Sequence, residues 1–237
     1  MIKKVTMIKR MALLCILVLL FSSFLNAAKA VNYLSTWLAH DIVNNVDQGY
    51  FTEVAFWSSS PKVCYDKLDP SNSFAFLSGL INGKDEWNAA LGTTVSVSSN
   101  YTNAEIFYYG GTIDDINDLN LFAELYPGSN VLGYTNWYNS GFQHWECEYL
   151  YQSSNVTYHI DCYEQLQILG YVISSDRTYN QYLKTCTHEL GHAMGWRGHA
   201  APSNTNWVMW QGVSSVTSLS TSEKAHLTQI YNDQLGG

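Results

Sequence analysis

Apolar residues recur along this chain at two periods, and the switches between them predict its elements. Tyr33, Leu34, Trp37, Leu38 and Ile42 fall at near-helical spacing, so residues 31–50 read as a leader or a short helix. A strand is expected at 50–56. A helix follows over 73–91, where Phe74, Leu77, Ile81, Trp87 and Leu91 recur at helical intervals. Gly79 and Gly83 interrupt it, each about 1 kcal/mol worse than alanine in a helix interior, which predicts a kink or split near Asn82. Residues 93–98, 104–109 and 131–138 read as strands, and 145–151 with 156–162 as a hairpin around a Ser154-Asn155 turn. Asp176 is placed to cap a helix whose buried face carries Tyr179, Tyr182, Leu183, Cys186, Leu190 and Ala193. Ser220 or Thr221 can cap a last helix packed through Leu227, Ile230 and Tyr231. No repeat, long linker or charge block divides the chain, so residues 51–237 are expected to form one domain.

The N-terminus changes the accounting of charge. Lys3, Lys4, Lys9 and Arg10 precede an apolar run at 11–21, and Ala28-Lys29-Ala30 fits a small-x-small cleavage site, so residues 1–30 read as a secretory signal peptide. No run reaches the roughly twenty apolar residues of a membrane anchor. Of twelve basic residues, five lie in that segment, leaving seven against twenty acidic ones and a net charge of −13. Such a chain repels nucleic acid and anionic membranes. A secreted, monomeric protein is expected. Cys64, Cys147, Cys162 and Cys186 remain, an even number that suggests two disulfides. The hairpin register suggests Cys147 with Cys162, which would leave Cys64 for Cys186. With no Cys-x-x-Cys spacing, a cysteine zinc site is not expected.

The chemistry concentrates in T-H-E-L-G-H-A-M-G-W-R-G-H-A, residues 187–200. His188 and His192, four apart, share a face of a helix and can hold one metal ion at roughly 2.0 to 2.1 Å. Glu189, next to the first ligand, is placed to take a proton from a water on that metal. Gly195 and Gly198 can end the helix and turn the chain to deliver His199 as a third ligand. Three histidines with one position left open is the catalytic pattern for zinc. Glu223 is the competing third ligand, on the thermolysin-like plan. His40, His144, His159 and His226 read as surface or internally satisfied histidines. Asp114, Asp115 and Asp118 offer a weaker calcium option, better read as a turn or helix cap.

This segment resembles the metzincin metallopeptidases, with their H-E-x-x-H-x-x-G-x-x-H pattern and methionine turn. The family spacing puts its third histidine at Gly198, so His199 arrives one residue late. Met209, in Asn206-Trp207-Val208-Met209-Trp210, matches the methionine turn, and Gln211 stands where some members carry a tyrosine. The resemblance implies an α+β fold: a twisted, mostly parallel sheet with an antiparallel edge strand, an active-site helix and a C-terminal helix. It implies a zinc endopeptidase with Glu189 as general base, binding an extended protein or peptide along an edge strand, for which Val131, Leu132, Gly133, Tyr134 and Thr135 are the candidates. A matrixin-like latency cysteine has no candidate between Ala30 and Cys64. The rival readings are a zinc-retaining binding or toxin-like module without turnover, and a zinc hydrolase of non-peptide amides or esters.

Overall fold

The computed structural model describes residues 38–71, 74–126, 130–136, 144–151, 156–163 and 167–235. The expected signal peptide and the Ser154-Asn155 turn lie outside them. The elements run β1 (Ala39–Val43), β2 (Val46–Tyr50), β3 (Glu53–Trp57), β4 (Lys62–Lys67), α1 (Phe76–Leu91), β5 (Ser96–Ser98), β6 (Ile106–Gly111), α2 (Ile113–Asp118), β7 (Gly133–Asn136), β8 (His144–Tyr151), β9 (Val156–Tyr163), β10 (Ile168–Ile173), α3 (Tyr179–Ala193), β11 (His199–Ala200) and α4 (Thr221–Leu235).

The fold is α+β, and its main sheet has five strands in the order β5-β4-β6-β10-β7. The first four are parallel, and β7 closes one edge antiparallel to β10, with Gly170 opposite Thr135. β10 reads I-L-G-Y-V-I and is buried over almost its whole length, as expected of a strand covered on both faces. A second sheet, β3-β9-β8, joins parallel β3 and β9 to the β8–β9 hairpin. A third, β11-β1-β2, is built by the N-terminal hairpin.

That hairpin corrects the helical reading of residues 31–50 wherever they are described. Asn44 and Asn45, both at positive φ, make the tight turn that lets β1 and β2 pair. Asparagine tolerates this conformation better than other residues with a Cβ.

The long helix is also phased differently from expectation. α1 runs unbroken past Gly79 and Gly83, and its buried face is Phe76, Gly79, Leu80, Gly83, Trp87 and Leu91, while Leu77 and Ile81 are exposed. The glycines are the contact face with α3. A Cβ on Gly79 would lie 2.5 Å from Cys186 Sγ, and one on Gly83 would lie 3.0 Å from Thr187 Cα. Close approach of the two helices, not a kink, is what they provide.

The cysteine pairings depart from expectation as well. Cys64, on β4, and Cys186, facing the Phe76 carbonyl from α3, are both free thiols. In the β8–β9 ladder Cys147 stands opposite Ile160 and Cys162 opposite Trp145, so the expected facing of Cys147 and Cys162 is missed by two residues.

Candidate metal centre

α3 carries the first two histidines through the middle of the molecule. Thr178, not Asp176, caps it, in a capping box with Gln181. From Tyr182 to Ala193 every residue of the helix is buried, while Tyr179, expected on the buried face, is 57% exposed in the first turn. The helix ends in saturated carbonyls: Trp57 Nε1 donates to Ala193 O at 2.8 Å and the Tyr231 hydroxyl to Met194 O at 2.7 Å. The chain then turns through Gly195 (φ 112°) and Gly198 (φ 78°). Both turns demand glycine twice over, because a Cβ on Gly195 would meet Ala55 O at 1.9 Å and one on Gly198 would meet His40 O at 2.7 Å. His199 follows in β11, paired with His40 of β1. The hairpin read as a leader therefore braces the third ligand.

One candidate ligand nitrogen from each of His188, His192 and His199 lies within 4.8 Å of the others, a group among the described residues that could hold a metal ion. His188 Nδ1 donates to Val208 O at 2.8 Å and His192 Nδ1 to Trp196 O at 2.7 Å. Both rings therefore carry their proton on Nδ1 and a lone pair on Nε2. Those two Nε2 atoms face each other at 3.1 Å. Two lone pairs at that distance repel unless a cation sits between them, and tetrahedral zinc with bonds of about 2.05 Å sets its ligand nitrogens about 3.3 Å apart. The residues fit a zinc ion, and three nitrogens leave room for a fourth partner. Burial favours the neutral imidazoles that ligation needs: it drives His188 well below the usual histidine value, His192 down to about 4 and His199 to about 3.

Glu189 is buried in the same cavity wall as His188 and His199. Burial raises its carboxyl to about 7, against a smaller lowering from Thr135. Thr135 Oγ1 lies 2.8 Å from Glu189 Oε2, and Glu189 Oε1 lies 2.7 Å from where a Cβ on Gly133 would be. The Tyr108 hydroxyl completes this support, 2.7 Å from Thr135 Oγ1 and donating to the Glu189 carbonyl at 2.6 Å. Tyr108 carries no sequence signal of this role. Thr135, with Gly133 and Tyr134, belongs to β7 at the edge of the main sheet, and Val131 and Leu132 lead into it, so all five candidate strand residues lie along one edge.

Met209 is fully buried beneath the helix, where its Sδ would meet a Cβ on Gly191 at 2.6 Å. Its carbonyl accepts from Ala200 N at 2.8 Å, so the methionine loop is tied to the third ligand. Glu223 receives the Met209 amide at 2.7 Å and the Ser220 amide at 2.8 Å, which occupies it as a loop brace instead of a ligand. His226 is buried and accepts from Leu38 N, and His40 pairs with Asp47. The side chains of His144 and His159 lie outside the described residues. Asp115 closes a capping box with Thr112 at the start of α2, the helix-cap role read for that acidic cluster. Arg197 is spoken for by Glu53, Asp161 and Tyr163.

No helix among the described residues is long and apolar enough to cross a membrane. Comparison with models of known protein families finds no match, and comparison with curated proteins finds none.

Proposed function

We propose that this chain is a secreted zinc endopeptidase of metzincin type, with His188, His192 and His199 holding the ion and Glu189 as general base. The observation that carries the reading is the opposed pair of Nε2 lone pairs at 3.1 Å, closed by a third imidazole and placed beside a buried carboxylate. A bound zinc ion supplies Lewis acidity towards the scissile carbonyl and makes a neighbouring water acidic near neutral pH.

The chain's own residues do the rest. Thr135 holds one oxygen of Glu189, which leaves the other to accept a proton from the attacking water and pass it to the leaving amine. A carboxyl near 7 can do both within one turnover. β7 is the edge strand of the main sheet and lies next to the carboxylate, the position at which strand addition of an extended peptide would bring it to Glu189. The expected set of a mostly parallel sheet, antiparallel edge strand, active-site helix and C-terminal helix supports the metzincin assignment. The N-terminal hairpin belongs to the same catalytic unit.

The test is a pair of proteins analysed for metal and for cleavage of a peptide library by mass spectrometry. The wild type is expected to bind one zinc and cleave internal peptide bonds, and Glu189→Gln to bind zinc and cleave none. Equal cleavage by both would sink the general-base assignment. Bound zinc with no peptide cleaved would move the chain to the non-peptide hydrolases.

A further inference from the structure

Beside His188, Glu189 and His199 opens a cavity of about 560 Å³, walled by Val131 and Leu132 ahead of β7, by α3, and by the loop at 211–214. Lys184 stands in that wall, one helical turn before His188 and only 4% exposed. Its ammonium donates to Trp210 O at 2.5 Å and to Gly212 O at 3.1 Å. The next polar atom, His188 Nδ1 at 3.5 Å, already gives its proton to Val208 O and has no lone pair to offer. An ammonium has three protons, so among the described residues one remains uncommitted.

Among the described residues no carboxylate forms an ion pair with Lys184. Buried lysines are almost always paired. This one donates directly only to neutral carbonyls, both on the neighbouring loop at 210–212, while the Glu189 and Glu223 carboxylates act on it through space without a direct ion pair.

On the reading of the site as a zinc peptidase, we propose that Lys184 makes this cavity a subsite for an acidic side chain of the substrate residue flanking the scissile bond. A substrate carboxylate would supply the direct ion pair that Lys184 lacks among the described residues. Four helical residues separate Lys184 from His188, about 6 Å along the axis, which suits the reach of glutamate better than aspartate. Val131, Leu132 and Val213 supply apolar surface for its methylene groups, and the Gln181 Nε2 amide, whose partner oxygen is held by Thr178 N, can donate to its second oxygen.

The experiment uses the zinc-loaded protein and fluorogenic peptides blocked at both ends, so that no terminal carboxylate competes. Matched peptides carry Glu, Gln or Met on either side of the cleaved bond. The wild type is expected to cleave the Glu peptide with kcat/KM at least about ten times that of its Gln partner at one of the two positions, as expected for a charge-assisted contact. In Lys184→Met that ratio should fall to about one, and in Lys184→Arg it should stay well above one. The ratio is taken within each protein, so damage to folding or zinc binding cancels. A ratio near one in the wild type, or an undiminished ratio in Lys184→Met, overturns the role of Lys184 and leaves the peptidase reading standing. If Lys184→Met does not fold, the wild type and Lys184→Arg decide: ratios of one in both overturn it. Cleavage of no peptide by the zinc-loaded wild type defeats the underlying reading instead.

Discussion

Thr135 Oγ1 stands 2.8 Å from Glu189 Oε2, so a residue of the edge strand holds a carboxylate of α3. The contact stabilises the ionised form and opposes the burial that lifts this carboxyl to about 7. Replacing Thr135 with valine keeps the shape and removes the donor. A hydrogen bond to a charged group is worth about 1.5–3 kcal/mol, which corresponds to a rise of about one to two pH units in the carboxyl's titration. Since the base must be ionised to act in the proposed mechanism, Thr135→Val should shift the acid limb of kcat/KM to higher pH and lower the rate at pH 7 about five- to fiftyfold. Thr135→Ser should restore both. A pH–rate profile with an unmoved acid limb would remove Thr135 from the mechanism.

Without metal, the buried histidines should make the fold acid-sensitive. His192 and His199 titrate near 4 and 3 in the folded chain, against an ordinary value of 6.5. Between those values the unfolded chain binds more protons, so stability is lost as pH falls from 6.5 towards 4. Glu189 acts in the opposite direction: raised from 4.5 to about 7, it favours the folded state at the acid end of that window and gives this up as pH rises. Chelator-treated Glu189→Gln, which lacks the opposing Glu189 carboxyl, should therefore show a steeper loss of Tm on acidification than chelator-treated wild type. Zinc should raise Tm in both proteins wherever the folded imidazoles are neutral, since ligation needs them deprotonated.

Much of the site could be read from the chain because its ligands are local. His188 and His192 share a helix face by spacing alone, and Gly195 and Gly198 announced a turn that the structure fills with positive φ and backbone contacts. What escaped were contacts between distant segments. Thr135 reaches Glu189 across 54 residues and Tyr108 across 81, and no periodicity encodes either. Gly79 and Gly83 misled for the same reason. Their local helix penalty is visible in sequence, while the closely packed partner helix that explains them is not. The hairpin at Ala39–Val43 and Val46–Tyr50 was hidden by apolar spacing that mimics a helix, and its two asparagines at the turn were the overlooked signal.

The hairpin's contact with the third ligand leads to a truncation test. His40 pairs with His199 in the β1–β11 ladder, and Gln211 Nε2 donates to Asn45 Oδ1 at 2.9 Å across the cavity rim. A chain beginning at residue 36 keeps these contacts, and one beginning at residue 51 loses them. The longer form should retain full zinc content, while the shorter should bind zinc at least about tenfold more weakly and lose proteolysis, the scale expected when a support of a metal ligand is removed. Equal zinc affinity in competition titrations of the two forms would reduce the hairpin to packing.

Arg197 supplies the second support of His199, and its removal should be costly. Its guanidinium reaches Glu53 at 2.8 Å and Asp161 at 2.5 Å, with the Tyr163 hydroxyl at 2.9 Å, and the Arg197 and Asp161 side chains are only 8% and 9% exposed. The cluster ties the loop between the second and third ligands to β3 and β9. Arg197→Met keeps most of the side chain's bulk but leaves two carboxylates without a cation. Breaking a buried ion pair from one side costs about 3–5 kcal/mol, most of it from the charge left behind. The single variant should show that loss in denaturant unfolding. Asp161→Asn added to Arg197→Met should recover part of it, because the stranded charge is then removed. If the double variant is no more stable than Arg197→Met, the loss comes from packing around the loop and not from the uncompensated Asp161.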